Sequence, residues 1–188
     1  AYAGMDETGV YQFEDLDGNG IENFNDRTKA VHSGMTFHGG LQNRFGYRGV
    51  ELIVFIQVVG QKTVTYRSAF STPGRIGAQP KEVLNRWKSS GEDATVQKFS
   101  TLSAVSNANS QWMSSDAAQE DASFVKLKNV AISWQLPSKW CRSLHVHDAR
   151  LFAQAQNLAT LTKYRGLDPE TRSLPPLQMI SAGVTLNL

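Results

Sequence analysis

The sequence has few cysteines, no basic block and no long apolar run, and each absence excludes or disfavours a class of protein. Among its 188 residues there is one cysteine, Cys141, which excludes an internal disulfide framework and any zinc site made of several cysteines. Its 19 Lys and Arg are scattered among 17 Asp and Glu without a basic block, so nothing favours nucleic-acid binding. The longest apolar run, Val50 to Val59, contains Glu51 and Gln57 and is too short for a membrane-spanning helix.

Long runs of alternating apolar and polar residues are present instead. Two of them, residues 36–47 and 50–59, are separated only by Arg48-Gly49, which predicts a β-hairpin. The alternation returns at residues 122–136, 144–158 and 178–188. Phase slips at Lys128-Asn129 and near His147-Asp148 predict β-bulges. The sequence therefore predicts an all-β chain of long antiparallel strands, and its helical signal is confined to residues 80–88.

The connections between these strands alternate in length. Long segments occupy approximately residues 1–34, 61–121 and 159–176, whereas the other connections are short. This asymmetry is typical of an outer-membrane β-barrel, with apolar residues facing lipid and polar residues facing the lumen. The aromatic residues beside the short turns would form an interfacial girdle, and they are Phe45, Tyr47, Trp134 and Trp140. A soluble β-sandwich with one buried face would show the same alternation, so the pattern leaves both folds open.

Several segments resemble, in kind and in order, hallmarks of SusC/RagA-like TonB-dependent outer-membrane transporters. They are SFVKLKNVAISWQLP at 123–137, QNL at 156–158, TKYRGLDPE at 162–170, VLNRWK at 83–88 and DLDGNG at 15–20. The matches extend over nearly the whole chain, and their order makes them more specific together than any one of them alone.

The resemblance implies that residues 1–188 are the C-terminal segment of a transmembrane β-barrel of about 22 strands, with long extracellular loops. The plug domain of such proteins is absent from this chain. The resemblance further implies the cell outer membrane of a Bacteroidota-type bacterium, contact with its lipid, and import of glycans or peptides. It implies a SusD-like surface lipoprotein as partner, and TonB acting through a part of the protein that is not in this chain. The alternative from another class is a soluble, calcium-stabilised β-sandwich that binds glycans or mediates interactions.

One acidic loop has the spacing of a metal site. Between Asp15 and Asp26, oxygen ligands fall at the first, third, fifth, seventh and last of twelve positions, with Gly20 at the sixth. The last position holds Asp where such loops usually hold Glu. An Asp/Asn/Gly-rich turn satisfied by its own backbone is the alternative. We expect the loop to bind Ca²⁺, or Mg²⁺, and to stabilise an outer loop, through Asp15, Asp17, Asn19, the Ile21 carbonyl and Asp26.

No other motif predicts chemistry. The sequence contains no Gly-x-Ser-x-Gly elbow, and the pair His145 and His147 is not accompanied by a third metal ligand. We therefore expect no enzymatic activity, no catalytic residue and no organic cofactor. Aromatic residues of the long segments could stack on sugar rings or peptide side chains, but the sequence assigns no substrate-binding role to any of them; they are Tyr66, Phe70, Trp87, Trp112 and Tyr164.

Overall fold

The computed structural model describes residues 1–19, 24–26, 31–143 and 145–187, with the backbone alone for Phe24. These residues divide into two compact units. The first comprises Ala1–Gly34 and Lys62–Asp121, and the second comprises Met35–Gln61 and Ala122–Leu188. None of the helices in these described ranges has both the length and the apolar character needed to cross a membrane.

The regular elements are mostly strands. In chain order the strands are β1 (Tyr2–Met5), β2 (Tyr11–Phe13), β3 (Gly34–Tyr47), β4 (Val50–Val64), β5 (Gln119–Asp121), β6 (Phe124–Gln135), β7 (Asp148–Thr162) and β8 (Met179–Asn187). The α-helices are α1 (Ser103–Met113) and α2 (Ser138–Ser143). Single turns of 3-10 helix lie at Phe24–Asp26, Tyr66–Ala69, Lys81–Asn85 and Asp116–Ala118.

The second unit is built on five long antiparallel strands in the order β3-β4-β6-β7-β8. Each strand pairs with the next long strand along the chain, which is the arrangement that the alternating pattern predicts. The predicted bulge in β6 is confirmed, because the register shifts between Leu127 and Asn129 against both neighbouring strands. The extra residue at the bulge allows the apolar side chains before and after the phase slip to lie on the same face of the sheet.

One strand boundary differs from the prediction. The alternation suggests a strand from residue 144, but β7 begins at Asp148 and continues to Thr162. His145 has a positive φ of 58°, which is incompatible with an extended strand, and it lies two residues after the end of α2. The predicted strand start at Leu144 and the last residue, Leu188, lie outside the described residues.

The first unit has a small aromatic core. Tyr11 of β2 stacks on Trp112 of α1 with ring centroids 5.5 Å apart, and Tyr2 meets both rings edge-on. The guanidinium of Arg67 lies 4.2 Å from the centre of the Trp112 ring and donates a hydrogen bond of 3.0 Å to the Tyr11 hydroxyl. Arg67 is itself only 5% exposed, so a buried planar cation takes part in this aromatic core.

The helices of the first unit differ from the prediction. The helical signal at residues 80–88 corresponds only to the 3-10 turn Lys81–Asn85. The real helix, α1, is mostly polar in sequence, yet it buries Val105, Ala108, Asn109 and Trp112. These positions are three, one and three residues apart and lie on one face, which the surrounding Ser and Asn residues conceal in the sequence.

Candidate functional site

The sheet of the second unit has one apolar face that is exposed to its surroundings. Strand pairing places the apolar residues of neighbouring strands directly opposite one another, as in Leu52 with Ile132 and Leu151 with Val184. Large side chains on this face are exposed by 59% at Phe37, 48% at Ile132 and 79% at Ile180. The same face also carries Leu41, Phe45, Tyr47, Val50, Val54, Val125, Val130, Ala153, Ala182 and Leu186.

The opposite face of the same strands is polar. Arg44 of β3 and Glu51 of β4 form an ion pair of 2.6 Å, and Arg150 of β7 donates a hydrogen bond of 2.8 Å to Ser133 of β6. Ser181 and Thr185 of β8 lie in register on this side too. In β8 the register places Ile180, Ala182, Val184 and Leu186 on the apolar face and Ser181 and Thr185 on the polar face, as the alternation predicts.

Aromatic residues are gathered beside the short connections. Trp134 near the end of β6 and Trp140 in α2 meet edge-on with ring centroids 5.4 Å apart. At the neighbouring hairpin turn, the guanidinium of Arg48 lies 5.2 Å from the centre of the Tyr47 ring, which is 70% exposed. Amphipathic aromatic side chains near short turns are the arrangement expected at a membrane–water interface.

A bulge shared by β6 and β7 brings together two of the segments that carry the family resemblance. Leu127 lies opposite Ala159 and Asn129 lies opposite Gln156, so Lys128 of β6 faces two residues of β7, Asn157 and Leu158, and the additional residue is on β7. On β7, Asn157 has a positive φ of 55°, a conformation that asparagine tolerates better than most residues. Its side-chain amide donates a hydrogen bond of 3.1 Å to the carbonyl of Leu177.

A buried ion-pair cluster lies next to this bulge, on the polar face. The Lys126 ammonium is 2.9 Å from a carboxylate oxygen of Asp168 and 2.7 Å from one of Glu170. Lys128 is 3.0 Å from the Glu170 carboxylate. The side chains of Lys126 and Asp168 are only 2% and 3% exposed. Two cations and two carboxylates thus compensate one another where the polar face is covered by the β7–β8 connection.

The carboxyl groups of this cluster are held in their ionised forms. Burial, the largest single influence, would raise the pKa of Asp168, but backbone hydrogen bonds from Thr171 and Glu170 and the nearby Lys126 together lower it. Burial likewise opposes ionisation of Glu170, and hydrogen bonds from Lys126 and Lys128 outweigh it, so its pKa is also below the ordinary value. The sequence pattern did not predict this cluster, because its members are about 40 residues apart along the chain.

The acidic loop of the first unit brings three of the predicted metal ligands together. Carboxylate oxygens of Asp15, Asp17 and Asp26 lie within 4.8 Å of one another. Asp26 is 3% exposed and accepts hydrogen bonds from the backbone N–H groups of Leu16, at 2.8 Å, and Asp17, at 3.2 Å. A convergence of carboxylate oxygens at this spacing suits a hard cation such as Ca²⁺.

Of the other two predicted ligands, Asn19 and the Ile21 carbonyl, the structure describes only Asn19. The side-chain amide of Asn19 donates a hydrogen bond of 2.9 Å to the Asp17 carboxylate, so Asn19 lies beside the three carboxylates. The Ile21 carbonyl and the turn at Gly20 lie outside the described residues. Asp15 also accepts from the backbone N–H of Gly18 at 2.8 Å, the contact expected of a self-satisfied turn.

Other candidate residues do not form a reactive centre within the described residues. Cys141 is buried and directs its thiol toward the Leu136 carbonyl. Trp112, one of the aromatic residues considered for stacking on a substrate, belongs to the core of the first unit, and Trp87 packs against Gly9. The backbone N–H of His147 donates to the Asn187 carbonyl, which fixes the start of β7 beside the end of β8.

Long antiparallel strands with one exposed apolar face and one polar face define a segment of β-barrel wall. Comparisons of sequence and structure with known proteins support this assignment. No protein-family model matches the chain. It is 27% identical over 169 residues to TonB-dependent receptor P3 of Formosa agariphila, covering 89% of this chain and 16% of that receptor. It also superposes on two structures of the RagAB peptide importer. In the open-open state the TM-score is 0.75 at 23% identity, over 100% of this chain and 22% of the other. In the closed-closed state it is 0.71 at 24% identity, over 98% and 22%.

These likenesses confirm the resemblance to SusC/RagA-like TonB-dependent transporters and the all-β fold class of a barrel segment. The chain spans only about one fifth of the length of the importer chain that it matches, and 16% of the length of the receptor. The structural likeness concerns the fold, and the activity, substrate and partners of a whole transporter are a separate matter.

Proposed function

We propose that this chain is the C-terminal wall segment of a TonB-dependent transporter that imports nutrients across the cell outer membrane. The single observation that carries the proposal is the two-sided sheet: side chains such as Phe37 and Ile180 are exposed on one face, while charged pairs such as Arg44 with Glu51 lie on the other. An apolar outer face suits the lipid of a bilayer, and a polar inner face suits a wet lumen. The protein acts by binding and transport and not by catalysis.

The same observation argues against the soluble β-sandwich. A sandwich packs the apolar faces of two sheets against one another, which buries the large side chains between them. Here Leu41, Phe45 and Val184 are each more than half exposed. A soluble protein would present this apolar surface to water over several strands, which leads to aggregation. Contact with lipid removes that cost.

Spin labels on two neighbouring positions of β3 test the proposal. A label at Leu41, on the apolar face, should be accessible to dissolved oxygen and protected from a water-soluble nickel reagent in the full-length protein reconstituted in vesicles. The matched label at Gln42, on the polar face, should show the opposite preference. Equal accessibility at the two positions would exclude a membrane wall here.

The comparison with known proteins supports proposals for the substrate and the partners. The RagAB structures are described as those of a peptide importer, which supports a peptide as the transported nutrient. A glycan is the alternative that the resemblance of the sequence implies. In our proposal the long connections, residues 1–34, 61–121 and 159–176, lie outside the cell, where a SusD-like lipoprotein docks on them. TonB engages a part of the protein beyond this chain. Comparing uptake of labelled oligopeptides and labelled oligosaccharides in cells with and without the transporter distinguishes the two substrates.

Calcium binding by the acidic loop is the second part of the proposal. Asp15, Asp17 and Asp26 supply three carboxylates, and Asn19 and the Ile21 carbonyl complete the predicted ligand set. Since Asp26 is buried, its charge is costly unless a cation or hydrogen bonds compensate it. The bound ion, Ca²⁺ or Mg²⁺, holds the loop together and takes part in no reaction.

The variant Asp26→Asn tests this site selectively. An asparagine retains one oxygen that can accept the N–H groups of Leu16 and Asp17, so the loop keeps its shape while losing one charge. We expect calcium affinity, measured by calorimetry on the full-length protein, to fall about tenfold or more. Glu7→Gln removes one charge from an exposed position of the same unit and should leave the affinity unchanged. Equal calcium titrations for wild type and Asp26→Asn would remove the site.

A further inference from the structure

The β7–β8 connection, residues 163–178, is fastened to the polar face of the sheet at more than one place. Lys126 and Lys128 hold its Asp168 and Glu170. We propose that this connection is a latched loop: it is fixed to the inner wall of the barrel by the two lysines and forms a static lining of the transport passage. The proposal rests on the proposed function, because only in a barrel is the polar face the wall of a passage.

The burial of Lys126 shows that the loop, and not the strand, closes over this position. Lys126 alternates with the outward-facing Val125 and Leu127, so its side chain lies on the polar face, where water would otherwise hydrate it. Its side chain is nevertheless 2% exposed. Burying an ammonium group without an opposite charge raises the free energy of the folded state. While the loop covers Lys126, this lysine therefore requires the two carboxylates of the loop.

Asp168 couples the shape of the loop to the wall. One of its carboxylate oxygens accepts the backbone N–H groups of Glu170 and Thr171, each at 2.9 Å, and the other accepts from Lys126. The backbone N–H of Arg172 donates to the Asp168 carbonyl at 2.9 Å and closes the same turn. A single side chain therefore both builds the turn and attaches it to β6.

Neutral hydrogen bonds add anchors on either side of the ion pairs. The Gln61 side-chain amide donates to the carbonyl of Pro169 at 2.6 Å, and Pro169 is buried. Where the chain returns to β8, Asn157 donates to the Leu177 carbonyl and Gln178 donates to the Leu158 carbonyl, each at 3.1 Å. The loop is thus held at its middle and at its end, which favours a static element over one that opens and closes with transport.

Limited trypsin digestion of the full-length transporter in detergent tests the latch. The wild-type loop should be cut slowly after Arg165 and Arg172, because a protease needs a locally unfolded segment. Lys126→Met keeps the apolar stem of the side chain and removes the charge that pairs both carboxylates, so cleavage after Arg172 should accelerate at least about tenfold. The matched control Arg44→Met removes a cation of the same face that lies in the β3–β4 ion pair, and it should leave the cleavage rate unchanged.

Assembly of the barrel is followed separately by heat-modifiable mobility on a gel, so the latch and the proposed function can fail independently. If Lys126→Met does not assemble, the double variant Lys128→Gln/Glu170→Gln replaces it, since these side chains are 25% and 33% exposed. Faster cleavage in an assembled barrel supports the latch. Rapid cleavage of the wild-type loop, wild-type rates in the assembled latch variants, or an equal acceleration in Arg44→Met would overturn it. Loss of heat-modifiable mobility in the wild type itself would instead contradict the barrel.

Discussion

The phenyl ring of Phe152 on β7 covers Gly183 on β8, its partner in the strand register. A Cβ atom added at Gly183 would lie 2.6 Å from Cζ of that ring. A glycine inside a strand has no side chain to pack, and an aromatic ring from the neighbouring strand restores the missing contact. The pair lies on the polar face, where it gives the last described strand a specific partner position on β7.

This contact predicts the effect of enlarging the glycine. Gly183→Val should displace the ring and lower the free energy of unfolding, measured by urea denaturation in vesicles, by about 1–3 kcal/mol. Phe152→Ala in the same protein makes room for valine, so the double variant should lose less stability than the sum of the two single variants. Additive losses would show that ring and glycine do not interact.

The division of β8 into an apolar and a polar face leads to a second prediction. Val184 is 59% exposed on the apolar face, so a lysine there would face lipid at a cost of about 2–4 kcal/mol near the bilayer centre. Val184→Lys should therefore impair barrel assembly, followed by heat-modifiable mobility and by protection from external protease. The control Ser181→Lys lies on the polar face opposite Gln154 and should assemble normally. The reverse outcome would mean that the two faces are inverted.

Acid should release the latched loop. The pKa values of Asp168 and Glu170 lie below their ordinary values of 3.8 and 4.5. Carboxyl groups with depressed pKa values stabilise the attached loop above the ordinary pKa, and this stabilisation is lost as the pH falls through the lowered values. A spin label at the exposed Ser173 should report constant mobility from about pH 8 to 5 and increasing mobility below about pH 4.

The matching variant separates this effect from general acid unfolding. Asp168→Asn/Glu170→Gln removes both titrating groups, so the label at Ser173 should be mobile at neutral pH already and should change little on acidification. A variant whose label keeps the wild-type pH dependence would show that other groups control the loop.

The aromatic core of the first unit gives a fourth prediction. Arg67 is stacked 4.2 Å from the Trp112 ring and bonded to the Tyr11 hydroxyl, a planar geometry that a lysine ammonium cannot reproduce. Arg67→Lys should lower the stability of this unit by about 1–2 kcal/mol. Trp112→Ala, which empties a largely buried aromatic position, should cost about 3–5 kcal/mol. The resistance of residues 62–121 to chymotrypsin in the full-length protein measures both losses of stability. Equal resistance of Arg67→Lys and wild type would show that the Arg67 guanidinium does not stabilise this core.

The sequence determined the long strands of the second unit and, in the alternating runs, the face that is apolar; the short strands β1, β2 and β5 lie in segments predicted as connections. A strand repeats every two residues, so alternation in residues 36–47 or 178–187 suffices to identify both the strand and its faces, with no knowledge of its neighbours. The same local reasoning located the bulge at Lys128-Asn129, because the phase slip is visible in the sequence. It missed α1, since four buried positions among Ser and Asn residues give a weak helical period.

Tertiary structure alone decided which distant residues meet. Lys126 is an ordinary polar position in the alternation of β6, and nothing nearby in sequence shows that Asp168 and Glu170 bury it. Asp15 and Asp26 could be paired beforehand only because a known loop spacing joins them. Contacts across long separations depend on strand order, register and the return path of a loop. These are properties of the assembled sheet, whereas the facing of a strand is a property of its own backbone.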